Sequence, residues 1–463
     1  MVRPIHWIAT VTFCEKRRLP DFADQRGNGR YDDLSRSACA ENQQINVQST
    51  MPFYKKYMLP RSCGLQRWLS RILGWIQTLV ESSSPTRQGD SSTTNRSVSR
   101  KDMLNSMLQH SRKQSVNIQV VAGEVATLTF LRSKGVPVPE VYGWSATTDN
   151  AIGAEYIVME FAPGIGLDTK WFDLTKREQR TVAIEIVEVE RKLFGIPFGS
   201  FGSLYFKKDI PPELQADLYA PGVEDPSGDS DTFCIGPIAD DMFWYGKRAE
   251  MQVDRGPWRN PHKYLAAIGK RELEWTKRFG KPLEKDFPYN SLLPGVIPPS
   301  AYSTLLEKYL AIAPFLLPND AESHGSAPTL RHPDLTPSNV FISPETSKIR
   351  RIIDWQHTVI VPRLLASGHP HLFENPDVEL PPTLDAPQPP DGYESLDPET
   401  KAQVDELLRR RNLYYFYRVF NGAKNQLHLA ACADPLLEPR KHLVDFAGRQ
   451  GNGNLMTLRG ALI

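Results

Sequence analysis

Residues 331–356 read RHPDLTPSNVFISPETSKIRRIIDWQ. His332, Asp334 and Asn339 lie in a loop with two prolines, Pro333 and Pro337, whose fixed φ and missing N–H keep a chain out of regular ladders. VFIS, Val340–Ser343, reads as a short apolar strand, and 344–348 as a turn. IRRII, Ile349–Ile353, reads as a second strand with Asp354 at its end. A hairpin of this form returns Asp354 to the side of Asn339 and Asp334. Two carboxylates and an amide in one place suit phosphoryl transfer. One carboxylate orients or deprotonates an attacking hydroxyl; the other, with the amide oxygen, holds Mg²⁺ on nucleotide phosphates. Asp334 is the candidate base, and Asn339 and Asp354 are the candidate metal ligands. His332 is expected to brace the loop through hydrogen bonds rather than to act as acid or base. Asp and Asn are common in turns. The joint spacing, five residues from Asp334 to Asn339 and twenty to Asp354, argues against a purely structural role.

Upstream, EVATLTFLRSKG, Glu124–Gly135, reads as a helix stopped by its glycine, and the prolines of VPVPEVYGW enforce extended backbone. AEYIVMEF, Ala154–Phe161, reads as a buried strand closed by the turn APG. Thr175 and Glu178 form a capping-box pattern ahead of a helix with Val182, Ile186, Val189 and Leu193 on one stripe. Phe198–Pro299 is rich in Trp, Tyr, Pro and Gly and reads as irregular chain around one helix near 261–279. Downstream, the proline-rich connection 376–390 precedes a long helix that Asp397 caps and Pro398 begins. Arg409–Arg411 in that helix reads as a solvated face, His369 and His371 as loop residues, and GSFGS, Gly199–Ser203, as an ordinary turn.

HPDLTPSN followed by IIDWQ resembles the H-x-D-x-x-x-x-N and I-D-W motifs of the aminoglycoside phosphotransferase family. EVATLTFLRSKGVPVPEVYGW resembles that family's helix C and following strand, EYIVMEFAPG its hinge strand, and LLRRRNLYYFY its C-terminal helix. The branch concerned is similar to altered inheritance of mitochondria protein 9, and the resemblance covers about residues 119–445. It implies an α+β, protein kinase-like bilobal fold, with a small β-rich N-lobe, incomplete or atypical at its start, and a larger, mostly helical C-lobe. The expected division is 1–118 leader, 119–162 N-lobe remainder and hinge, 163–445 C-lobe, and 446–463 flexible tail. It implies ATP and Mg²⁺ as cofactors and a small-molecule hydroxyl as phosphate acceptor. Asp334 matches the catalytic aspartate, and Asn339 and Asp354 match the magnesium ligands. Glu124 matches the helix C glutamate that pairs with a nucleotide-positioning lysine. Glu160, Phe161 and Ala162 fall where hinge backbone would bond adenine.

The pattern breaks upstream of Glu124. No G-x-x-N-x-x-F hairpin and no V-A-[KR] strand stands there, and Lys101 and Lys113 are the nearest lysines. Two readings follow. In the first, the leader is a natural replacement, leaving a weak kinase, or a pseudokinase or scaffold that has lost its nucleotide clamp. In the second, an unrelated translation is joined to a genuine kinase body.

Composition agrees with a break there. The 463 residues carry 55 Lys or Arg against 54 Asp or Glu, a formal charge of +1. Residues 1–118 hold 18 of those bases and 9 of those acids, so a basic leader precedes a mildly acidic body. The polar run 82–117 is expected to be flexible. The balanced total gives no reason to expect nucleic acid. No apolar run reaches the ~18 residues of a membrane span; Trp68–Val80 has instead the spacing of an amphipathic helix. The first twenty residues lack a secretory pattern, although three consecutive bases at 16–18 weakly suit a mitochondrial presequence. Five scattered cysteines form no CxxC pair, which favours reduced thiols in an intracellular, mitochondrial or cytoplasmic protein.

Overall fold

A computed structural model describes residues 8–13, 58–60, 120–150, 155–284, 295–318, 324–377, 384–449 and 455–463. The helix expected over Trp68–Val80, the polar run 82–117, Lys101 and Lys113 lie outside the described residues.

Four strands, β1 (Ile8–Phe13), β2 (Met58–Pro60), β3 (Val141–Ser145) and β4 (Tyr156–Glu160), form an antiparallel sheet in the order β2-β1-β4-β3. Ala9 stands opposite Glu160, and Val11 opposite Val158. Helix α1, residues 120–133, precedes β3. It ends as its glycine dictates. Gly135 takes φ +71°, its N–H donates to the Arg132 carbonyl at 3.0 Å, and the Val136 N–H donates to Leu131 at 3.0 Å. This pair of bonds satisfies carbonyls that the helix leaves open.

Beyond β4 the chain turns through Gly164, at φ +100°, into β5 (Ile165–Gly166). A Cβ on Gly164 would stand 2.2 Å from the Ile342 carbonyl oxygen. Helix α2 (Lys176–Phe194) starts at the reciprocal capping box of Thr175 and Glu178 and buries Val182, Ile186, Val189 and Leu193. A hairpin follows, β6 (Ser203–Phe206) with β7 (Phe233–Gly236). The sequence reading has irregular chain there. The long insertion between the strands hides a pairing that only tertiary contact fixes. Helices α3 (Pro261–Phe279) and α4 (Pro299–Ile312) come next.

The later strands are β8 (Pro328–Leu330), β9 (Val340–Ile342), β10 (Ile349–Ile352) and β11 (Ile360–Pro362). β9 lies between β10 and β5, while β8 pairs with β11. Helix α5 (Pro398–Lys424) begins where Asp397 accepts the N–H groups of Glu399 and Thr400, both at 3.1 Å. Helix α6 (Leu437–Arg449) lies near the end. The architecture is therefore α+β, with most helices after β4.

One apolar core joins α1, α2, α5 and the β9–β10 hairpin through Phe130, Ile186, Val340, Ile352 and Tyr417. A second joins α3, α4 and α6 through Leu265, Tyr309 and Val444. Each large apolar side chain buried this way contributes about 1.5–3 kcal/mol. Arg409 departs from the solvated-face expectation. It is buried, its guanidinium donates to Glu406 at 2.6 and 2.7 Å, and it lies over the Trp171 and Phe172 rings. Its partners Trp171 and Phe172 lie far back in the chain, beyond the reach of local charge patterning. Among the described residues no helix is long and apolar enough to cross a membrane.

Candidate active site

β8 ends at Leu330, and the loop that follows is held from inside. His332 is buried, with its ring edge-on to Trp355 at 4.5 Å. Its Nδ1 accepts the Asp334 N–H at 3.1 Å, so the proton belongs on Nε2, which donates to the Ile353 carbonyl at 3.0 Å. Burial pushes its pKa down to about 4, and the ring is neutral near pH 7. The imidazole thus links the loop to the segment entering Asp354, which is the bracing role expected of it.

Pro337–Asn339 forms a single tight turn, and Asn339 is buried. Its amide nitrogen donates to the Asp334 backbone carbonyl at 2.8 Å and stands 3.5 Å from the Asp334 carboxylate. This commits the nitrogen and leaves the amide oxygen as the remaining acceptor. The Ile353 N–H donates to the Asn339 carbonyl at 2.9 Å, which closes the hairpin beside the loop. Asp354 follows in left-handed backbone, φ +66°, a conformation that Asp tolerates better than most residues. Trp355, fully buried, donates its indole N–H to Ile352 at 3.0 Å and so pins the turn.

The carboxyls influence one another. Burial raises the Asp354 pKa, the Asp334 charge raises it further, and His357 opposes both. Glu124, on α1, joins them. Its residue keeps an exposed edge, yet protein surrounds its carboxyl, and this desolvation, with the Asp354 charge, lifts its pKa to about 8. The backbone N–H of Trp355 is the bond that opposes this rise. Among the described residues no group of three or more His, Cys, Asp or Glu is arranged to hold a metal ion.

The hinge residues sit apart from the Asp334–Asp354 cluster. Arg351 Nε donates to the Glu160 carboxylate at 3.0 Å and its Nη2 at 2.5 Å, with Arg132 Nη1 at 3.4 Å. Glu160 also accepts the Glu140 N–H at 3.2 Å, so its side chain is a structural joint. Phe161 is half-buried and Ala162 is buried.

Sequence reasoning missed three contributors. Arg351 locks the hinge to the hairpin, and Trp355 anchors the Asp354 turn. Arg331 donates to Glu190 on α2 at 2.6 Å, to Tyr417 Oη on α5 at 2.8 Å and to the Ala366 carbonyl at 2.9 Å. All three stand within the stretch quoted first, but the partners of Arg351 and Arg331 come from outside it.

The family model for the phosphotransferase enzyme family (APH) matches residues 107–365. A subtelomeric hrmA-associated cluster protein of Aspergillus fumigatus is 34% identical over 74% of this chain and 70% of its own length. The protein named altered inheritance of mitochondria protein 9, mitochondrial, of Yarrowia lipolytica is 28% identical over 65% of this chain; the match spans 52% of that relative. A solved structure of a thermostable mutant aminoglycoside phosphotransferase, in its apo form, aligns at 15% identity and TM-score 0.32, over 74% of this chain and 80% of that one. The family match spans more than half of the 463 residues and contains the whole loop and hairpin, so this chain belongs to the APH phosphotransferase enzyme family, with its kinase-like fold.

Proposed function

We propose that this chain transfers the γ-phosphoryl group of Mg·ATP to a hydroxyl of a small molecule. The observation that carries the reading is the convergence of Asp334, Asn339 and Asp354, braced by the neutral His332. Asp334 is the group to orient or deprotonate the acceptor hydroxyl. Asn339 and Asp354 are the groups to hold Mg²⁺, and their oxygen donors suit that ion. The pKa of Asp354, raised in part by Asp334, marks negative charge that a dication would relieve. Bound Mg·ATP supplies the electrophilic phosphorus. The scaffold is read as bilobal, with a small, incomplete β-rich N-lobe, a larger helical C-lobe, and adenine against the 160–162 backbone.

The nucleotide clamp fits less well. Among the described residues, burial, the Asp354 charge and the Trp355 N–H act on the Glu124 carboxyl, with no cation among them. β1, the strand paired with β4, reads IATVTF and has no Lys or Arg. These observations favour the alternative to an active kinase, a pseudokinase or scaffold. The names of the mitochondrial relatives support a mitochondrial location, which fractionation of a tagged full chain tests.

One measurement separates enzyme from scaffold. ATP should raise the melting temperature in a Mg²⁺-dependent way, and Asp354→Ala should remove the Mg²⁺-dependent part. No shift in the parent chain would sink the kinase reading.

A further inference from the structure

Thr336 and Ser338 stand between the candidate base, Asp334, and the candidate metal ligand, Asn339. Their loop is closed on itself. The Thr336 N–H donates to the Asp334 carbonyl at 3.0 Å, the Asn339 N–H donates to the Thr336 carbonyl at 3.1 Å, and the Asn339 amide returns to the Asp334 carbonyl at 2.8 Å. Thr336 leads into the Pro337–Asn339 turn from the capping position, yet its side chain makes no cap bond there. A threonine in that place ordinarily accepts an N–H from the turn it opens. Here Oγ1 lies 3.0 Å from Ser338 Oγ instead.

The donors around this pair are committed elsewhere. Arg331 is spent on Glu190, Tyr417 and the carbonyls of Ala366 and Gly368, and Arg351 on Glu160. His332 Nε2 donates to Ile353, and the Asn339 amide to Asp334. Two hydroxyls that share one hydrogen bond leave one O–H free. Thr336 is half-buried and Ser338 exposed, so both are open to a bound group. Phosphoryl transfer spreads charge over the three equatorial oxygens of the moving group, and fixed donors aimed there lower the barrier. That charge passes between an acceptor at Asp334 and an ion at Asn339, where residues 331–339 have no uncommitted cation to meet it.

We propose that the Thr336 hydroxyl donates to the transferring phosphoryl group in the transition state, and that Ser338 holds this hydroxyl by donating to Thr336 Oγ1. Thr336 is thus a catalytic residue and Ser338 a positioning residue. The assignment rests on the phosphoryl-transfer reading. In that step the acceptor oxygen bonds to the γ-phosphorus. The bond from phosphorus to the β–γ bridging oxygen breaks with its electron pair passing to ADP, and the acceptor proton goes to the Asp334 carboxylate. The hydroxyl pair keeps its own protons throughout.

Calorimetric titration of the full chain with Mg·ADP plus fluoroaluminate, a mimic of the moving phosphoryl group, tests this against Mg·AMP-PNP, a ground-state mimic. The parent chain should bind the fluoroaluminate complex more tightly. Thr336→Val should weaken that complex at least about tenfold while leaving Mg·AMP-PNP binding unchanged. Thr336→Ser, which keeps the hydroxyl, should bind as the parent does. Ser338→Ala should weaken the fluoroaluminate complex less, with the same selectivity, and keeps the test valid if Thr336→Val fails to fold. Fluoroaluminate binding unchanged in either variant, equal losses for the two complexes, or a parent chain without preference between them overturns the assignment and leaves nucleotide binding standing. A parent chain that binds neither complex sinks the phosphoryl-transfer reading as well.

Discussion

Glu160 and Glu124 approach the β9–β10 hairpin from different elements, and they fare differently. At the hinge corner, Glu160 meets the two donor nitrogens of Arg351 and a third from Arg132. At the helix corner, Glu124 meets Asp354 and one backbone N–H. The arginines make Glu160 a joint between β4 and the hairpin. Desolvation and the Asp354 charge instead push the Glu124 pKa up to about 8. Among the described residues the hinge corner is paired with cations, whereas the helix corner is not. Any doubt about nucleotide handling belongs to the second place and not to the Asp334 loop.

The largest expected effect tests the loop. Asp334→Asn should lower Mg²⁺-dependent phosphoryl transfer about 10³-fold while leaving the ATP-induced melting shift in place. Loss of that shift would move Asp334 into the binding set. Arg351→Met puts Glu160 nearer the condition of Glu124. Removing one partner of a buried pair should destabilise the fold by about 3 kcal/mol, read by urea denaturation.

The pH profile should then differ between the Asp334 loop and the helix corner. The His332 pKa is depressed from 6.5 to about 4, so its contribution is present above pH 6.5 and lost as pH falls toward 4. His332→Asn should flatten that acid limb, worth about 2 kcal/mol. The Glu124 pKa is raised from 4.5 to about 8, so its contribution is present below pH 4.5 and lost as pH rises toward 8. Glu124→Gln should recover about 1–2 kcal/mol at pH 8. Equal pH slopes in parent and Glu124→Gln would mean that a cation already serves this carboxyl.

Features set by near neighbours were legible from sequence. Gly135 ends α1, Thr175 with Glu178 opens α2, and Asp397 with Pro398 opens α5, each through bonds within a turn or two. The loop and hairpin were legible for the same reason, since Asp334 to Asp354 is one supersecondary unit. Partners remote in sequence were not. Arg351 finds Glu160, Arg331 finds Glu190, and Arg409 finds Trp171, and no local pattern announces any of these pairs. β6 and β7 were missed because a long insertion separates strands of four residues each.

The bare backbone at Gly164 has a mechanical consequence. With the Ile342 carbonyl only 2.2 Å from where a side chain would begin, the hinge and the hairpin are spaced by contact rather than by a compressible layer. Even one methyl at this position would act as a wedge. Displacement of the hinge should carry the neighbouring strand of the Asp354 hairpin with it, like the two leaves of a riveted plate.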